Sequence, residues 1–176
     1  MDFEAPVDAW YVWIGVVIVS VVLAGVVLSL PSQPPPDATE AANTIDRVTA
    51  SPQIAEASYE HGGEESRIDT KRIALRNDGG TDHASVAFGS LTPLSAVGNE
   101  TKRDALLLVL EGAPLSSVLE MEAYESVTET ELRNATENTR RQLTEGNRSS
   151  AWRPSDGELH VRTVELDGDK ITLVAA

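Results

Sequence analysis

Cysteine is missing from all 176 residues. That excludes disulfide frameworks, thiolate metal sites, cysteine nucleophiles and lipid attachment through a thiol. Lysine is nearly missing as well, with three against eleven arginines, and the formal net charge is −14. Counterion release on nucleic acid needs clustered cations, so a chain this acidic is not expected to bind it. Anionic lipid headgroups are disfavoured on the same overall balance. Histidine is sparse: His61, His83 and His160 stand far apart and form no H-E-x-x-H arrangement. Zinc needs three or four converging ligands, and His83 beside Asp82 and Asp78 reads better as a polar strand end after a turn.

The common catalytic and nucleotide signatures are missing too. There is no G-x-S-x-G, no P-loop and no G-x-G-x-x-G, so acyl and nucleotide chemistry have no motif support. Asp167-Gly168-Asp169 is a fragment of a calcium loop without its remaining acids, and a hairpin turn explains it better. Carboxylate pairs are too frequent in so acidic a chain to mark a site. No catalytic, cofactor-binding or metal-binding residue is expected. Aromatics are scarce at three Trp, three Tyr and two Phe. Trp152 is therefore conspicuous, either as a core plug or as a partner contact.

What the chain has is one long apolar run. Residues 9–36 contain no charge, and residues 10–30 include thirteen Val, Ile and Leu. As a helix those 21 residues would span about 31 Å, close to the roughly 30 Å hydrocarbon core of a bilayer. A strand would suit so many β-branched residues in water, but in lipid a helix satisfies its own backbone groups. The leader "MDFEAPVD" is acidic and "LSLPSQPPP" offers no small-residue cleavage pattern, so a retained anchor is expected rather than a cleaved signal. Trp10, Tyr11 and Trp13 suit the headgroup level on one side. Pro31, Pro34, Pro35 and Pro36 stop the helix and predict an extended spacer. Ser20/Ala24 and Gly25/Ser29 are small-residue pairs at i, i+4, either a helix-packing face that would permit homo-oligomers or ordinary membrane-helix composition. The expected organisation is a short acidic tail (1–8), a transmembrane helix (9–30), a proline linker (31–36) and an acidic soluble domain (37–176).

Beyond the prolines the pattern predicts an α+β domain with one antiparallel sheet and two to three packed helices. Asp37 and Glu40 open a helix with Ala38, Ala41, Ile45 and Val48 as its apolar stripe. "IAEASYEH", "SRIDTKRIALR" and "TDHASVAFGS" read as strands, with Asn77-Asp78-Gly79-Gly80 as hairpin chemistry and Ile68, Ile73, Leu75, Val86 and Phe88 inward. "NETKRDALLLVLEGAP" reads as a helix burying Leu106, Leu107, Val109 and Leu110, although a buried strand has the same run. Residues 128–145 read as a second, mostly exposed helix with Leu132, Ala135 and Leu143 inward. A C-terminal hairpin turning at Asp167-Gly168 completes the sheet.

Orientation cannot be counted from flanking cations, because the first after the span is Arg47. Three N-x-[ST] sequons, at Asn99, Asn134 and Asn147, are candidate glycosylation sites. With the acidic surface they favour an outward-facing domain. The ordering of "DAWYVW", "LPSQPPPDA", "RIALRNDGGTDHASVAFGSLTPL" and "WRPSDGELHVRTV" resembles a family of haloarchaeal single-pass membrane proteins of uncharacterised function. The resemblance implies a cell-membrane location and a fold-level association with pilus- or secretion-like assemblies, with no catalytic residue to carry over. The leading expectation is a non-enzymatic envelope component that docks to other envelope proteins, with the bilayer and those proteins as partners. A small-ligand or ion-sensing ectodomain is the alternative.

Twenty-five of the 28 acids and all 14 basic residues lie beyond the prolines, a net charge of −11 for the domain. Carboxylate repulsion therefore opposes the compact state. Raising KCl from 0.1 to 1 M shortens the Debye length from about 10 to about 3 Å and should raise the domain's thermal midpoint. An unchanged midpoint would remove the physical basis of the halophilic reading.

Overall fold

The computed structural model describes residues 8–29, 33–146 and 150–176. They form two units, Met1–Ser32 and Gln33–Ala176. The first contains helix α1, Asp8–Leu28, which is long and apolar enough to cross a membrane. Its residues from Trp10 onward are exposed on every side, as a lipid-facing surface requires. Pro31 lies outside the described residues.

The second unit is α+β, and its elements follow the order α2 (Ala38–Ala50), β1 (Glu56–Glu60), β2 (Glu65–Ile68), β3 (Arg72–Asn77), β4 (Gly80–Ser85), β5 (Leu91–Pro93), α3 (Glu100–Leu110), α4 (Leu115–Leu119), α5 (Glu129–Thr144), β6 (Arg153–Pro154), β7 (Glu158–Leu166) and β8 (Asp169–Ala175). The strands divide between two sheets, in the orders β1-β7-β8-β5 and β4-β3-β2-β6. All pairings are antiparallel except β5 with β8. The C-terminal hairpin thus pairs with β1 but not with β2–β4. The segment "SRIDTKRIALR" is itself a hairpin, because Thr70 and Lys71 turn the chain between β2 and β3 and the Asp69 N–H donates to Arg72 O at 2.8 Å.

Strand alternation separates two cores. On β7, Leu159 and Val161 face α2, while Val164 and Leu166 face α3–α5; on β8, Val174 joins the first group and Ile171 and Leu173 the second. Paired residues share a face of a pleated sheet, and the register Val161↔Val174 and Val164↔Ile171 keeps each set together. The β7–β8 sheet is therefore covered on both sides. Helix α2 fills the space between it and the second sheet, contacting β1, β3, β4 and β7.

That position explains α2's composition. Ala38, Ala41 and Ile45 are completely buried, and Ala42, Thr44 and Val48 nearly so. The buried face is wider than a single stripe because two sheets meet it. Asp37 caps the helix by accepting from the Glu40 N–H at 2.9 Å, and the Asp82 carboxylate accepts the Ala38 N–H at 2.9 Å. Asp46 accepts the N–H groups of Ala87 and Phe88 (3.1 and 2.8 Å), which ties the chain leaving β4 to the helix.

Two apolar residues expected inside lie outside. Phe88 is 56% exposed, since the chain has left β4 at Ser85 and no longer alternates, and Leu107 points away from the α3 face that buries Ala105, Leu106, Val109 and Leu110. Ala135 is half-buried, and Thr136 and Thr139 supplement Leu132 and Leu143 on α5. At the C-terminal hairpin Asp167 and Gly168 both take positive φ (51° and 80°), the conformation a two-residue hairpin turn needs.

Ile45→Ala should destabilise the fold by about 2–5 kcal/mol in a urea titration, because a fully buried side chain leaves a cavity between two sheets. A cost below about 1 kcal/mol would mean the helix is not clamped between them.

Candidate functional site

Where the linker enters the domain it does not hang free. The Asn77 carboxamide, at the end of β3, donates from Nδ2 to Pro34 O and to Gly62 O, both at 3.0 Å, and its Oδ1 accepts the Gly79 N–H at 2.8 Å. Gly79 lies so close to Gln33 and Pro34 that a Cβ there would collide with their backbone, standing 2.8 Å from Pro34 C. Glycine is thus required by space, not by its dihedral angles. Gln33, Pro34, Pro35, Pro36 and Asp37 border a cleft of about 380 Å³ whose other walls are Tyr59, His61, Gly62 and Asn77. The extended spacer expected from the prolines is a docked strap from Pro34 onward.

His61 is buried at this cleft. The Gly63 N–H donates to Nδ1 at 2.9 Å, and Nε2 lies 3.3 Å from Ser155 Oγ. Burial pushes the imidazole below its ordinary pKa, partly opposed by the Asp156 carboxylate. With Nδ1 accepting, the neutral ring holds its proton on Nε2 and donates it to Ser155 Oγ. Ser155 Oγ also accepts the Gly157 N–H at 3.1 Å. A serine nucleophile needs the opposite tautomer, with a lone pair on Nε2 to take its proton. The pair is arranged as a clasp. It is reinforced by backbone bonds from His61 N to Gly157 O and from Ser155 N to Glu64 O, both 2.8 Å, which stitch the β1–β2 turn to the β6–β7 loop. Tyr59, on the same side, has its hydroxyl pKa raised by burial and by Asp37 and Glu40.

A larger groove, about 820 Å³, lies between α5 and the start of α3. Four amides line it, Asn99, Asn134, Asn138 and Gln142, with the Lys102–Glu131 ion pair (3.3 Å) beside them. Glu131 closes the α5 capping box on Thr128, and that backbone hydrogen bond, followed by Lys102, lowers its carboxyl pKa. Two of the three sequons open on this groove. Asn99 caps α3 by accepting the Lys102 N–H at 2.9 Å. Asn134 is exposed on α5, but its sequon partner Thr136 is completely buried and donates to Arg133 O. An acceptor machinery that reads the threonine hydroxyl would reach it only before folding. Asn147 lies outside the described residues.

Trp152 does not fill either apolar core. It lies half-buried against two guanidinium groups, 4.6 Å from Arg76 Cζ and 5.3 Å from Arg67 Cζ to the ring centroid. Asp167 and Asp169 are both paired with Arg133 of α5 (3.5 and 3.1 Å), which ties the turn to that helix. Among the described residues no three His, Asp or Glu side chains converge as a metal site. Trp10, Tyr11 and Trp13 stand exposed near the start of α1, and Ser20, Ala24 and Gly25 lie along it; Ser29 is in the turn after it, donating to Val26 O at 2.8 Å.

A family model matches residues 4–164, and it describes a family of unknown function, DUF7283. The chain belongs to this family. No curated protein and no solved structure matches the chain. The match takes in α1, the strap, the clasp and the groove, so these features fall inside the family's span.

Sequence reasoning did not find the clasp or the strap. His61 and Ser155 are 94 positions apart, and nothing local to either marks the other. Because His61 is held below its unfolded pKa of about 6.5, the unfolded chain binds the extra proton first. Its stabilising contribution is complete above about pH 6.5 and is lost as pH falls toward the folded value. The stability difference between wild type and His61→Gln should therefore narrow between about pH 7.5 and pH 5. A difference that does not change with pH would contradict the neutral clasp.

Proposed function

We propose that the chain is a non-enzymatic component of the cell envelope, anchored by α1, whose domain faces outward and docks to other envelope proteins. The observation that carries this reading is the strap. The linker is fixed to Asn77 and Gly79 and passes directly into α2, the helix both sheets close on. A catalytic or ligand-capturing domain works equally well on a loose tether, whereas a part of an assembly gains from a fixed exit direction. The wrong tautomer at the His61–Ser155 pair supports the non-enzymatic part. Acidity, scarce lysine and the sequons support an outer surface in a salt-loving archaeon, and a pilus- or secretion-like assembly is the docking context we favour.

The amide-lined groove gives the sensing alternative a specific footing. Convergent polar groups at Asn99, Asn134, Asn138 and Gln142 are what a small polar ligand would need. Thermal shift of the purified chain against neutral sugars and amino acids separates the two: a saturable shift abolished by Gln142→Leu would favour sensing.

Protease added to intact cells should remove the domain, and full protection until lysis would reverse the orientation. Intact mass from membrane extracts should include the leader, and loss of about 30 N-terminal residues would overturn the anchor. Cross-linking in native membranes should give adducts with other envelope proteins, and adducts with none of them would overturn docking.

A further inference from the structure

The outer face of the β4-β3-β2 sheet differs in charge from the rest of this acidic chain. Its inner face is fixed by Ile68, Ile73 and Leu75, all buried against α2. Strand alternation and the registers Arg67↔Ala74, Arg76↔Glu65, Ala74↔His83 and Arg72↔Ser85 then place Glu65, Arg67, Arg72, Arg76 and His83 together on the other side. Trp152 lies on this face against Arg67 and Arg76. Three arginines there meet one carboxylate, Glu65, which pairs with Arg76. Arg67 and Arg72 form no ion pair among the described residues. In a chain of net charge −14, guanidinium groups without a carboxylate partner, Arg72 exposed and Arg67 half-buried against Trp152, call for an anionic partner.

Two further facts select that partner. Asn77, the residue after Arg76, holds Pro34 O at 3.0 Å, and six residues link Pro34 back to Leu28. Fully extended, the six residue steps from Leu28 to Pro34 cover at most about 20 Å. Guanidinium groups recognise phosphate, and a tryptophan with an apolar body and a polar edge suits the headgroup layer.

We propose that this face, Arg67, Arg72, Arg76 and Trp152, docks on the anionic phosphate headgroups of the membrane that holds α1. The proposal rests on the reading of α1 as an anchor. Docking turns the basic face to the lipid and leaves the acidic remainder of the domain toward solvent. Overall composition disfavours anionic lipid; the charge is segregated so that one face does not.

The test uses the full chain carrying Trp10→Phe and Trp13→Phe, so that Trp152 is the sole tryptophan. It is placed in nanodiscs containing headgroup-spin-labelled lipid in either phosphatidylglycerol or phosphatidylcholine, at 0.1 M salt. Trp152 emission should be quenched in the anionic discs and much less in the neutral ones. Arg67→Gln with Arg72→Gln should lower the docked-to-free ratio about 30-fold, the worth of two cations at a charged headgroup surface. Both residues are surface arginines without ion pairs, and unchanged thermal unfolding of the variant will show that the fold is intact. Equal quenching in the two discs, or quenching that survives the double substitution, overturns the proposal. A saturable response to inorganic phosphate in maltoside detergent would assign the face to free phosphate. A detergent response that grows with protein concentration would assign it to a second copy. Failure to incorporate into either disc would overturn the anchor reading and this proposal with it, whereas incorporation without quenching overturns the docking alone.

Discussion

Two sheets close on one face of a single helix, and most of the domain's architecture follows from that closure. Alanine at 38, 41 and 42 lets the sheets approach, while Ile45 and Val48 fill the space they leave. Fully burying an isoleucine contributes about 1.5–3 kcal/mol, and here the contribution depends on both sheets being in place at once. The helix is also held by polar contacts to the second sheet and the chain leaving it: Asp82 at its first residue and Asp46 in its last turns. Because the helix begins immediately after the prolines, whatever fixes its first turn also fixes where the chain leaves the domain. The Asn77 carboxamide and the space left by Gly79 do that fixing. Core packing, linker direction and the proposed membrane contact are in this sense consequences of one helix's position.

Charge follows the same geometry. Ile68, Ile73 and Leu75 face inward on β2 and β3 to meet α2, so the alternate residues face out, and in this sequence they include Arg67, Arg72 and Arg76. Net charge concealed this, because a sum over the chain is dominated by acids on other elements. Trp152 belongs to the same layer: its ring covers guanidinium groups rather than filling a core, so it reports on the surface that the arginines make.

Local signals in the sequence were sufficient wherever the determinant was local. The apolar run gave α1, Asp37 gave the start of α2, and Asp167-Gly168 gave the β7–β8 turn, each through residues adjacent in the chain. The α+β class followed from those segments. What local pattern did not supply was partnership. "SRIDTKRIALR" alternates well enough to read as one strand, and only pairing between Ile68 and Ile73 reveals the turn inside it. Division into two sheets likewise depends on which strand β1 chooses, and it chooses β7, about a hundred residues away. Leu107 and Phe88 were misplaced because apolar character alone does not say which side of an element has a neighbour. The clasp and the strap are made between residues far apart, so no spacing announces them.

The central claim is that the linker is locked to the domain and that the lock sets the first turn of α2. Hydrogen exchange in the full chain measures it at the Ala38 and Glu40 amides, which are held by Asp82 and Asp37. In the wild type both amides should exchange slowly, within about tenfold of the β7–β8 ladder. Gly79→Val, which removes the space for Gln33 and Pro34, should release them while that ladder stays protected. Fast exchange at both amides in the wild type, or no change in the variant, would contradict the account.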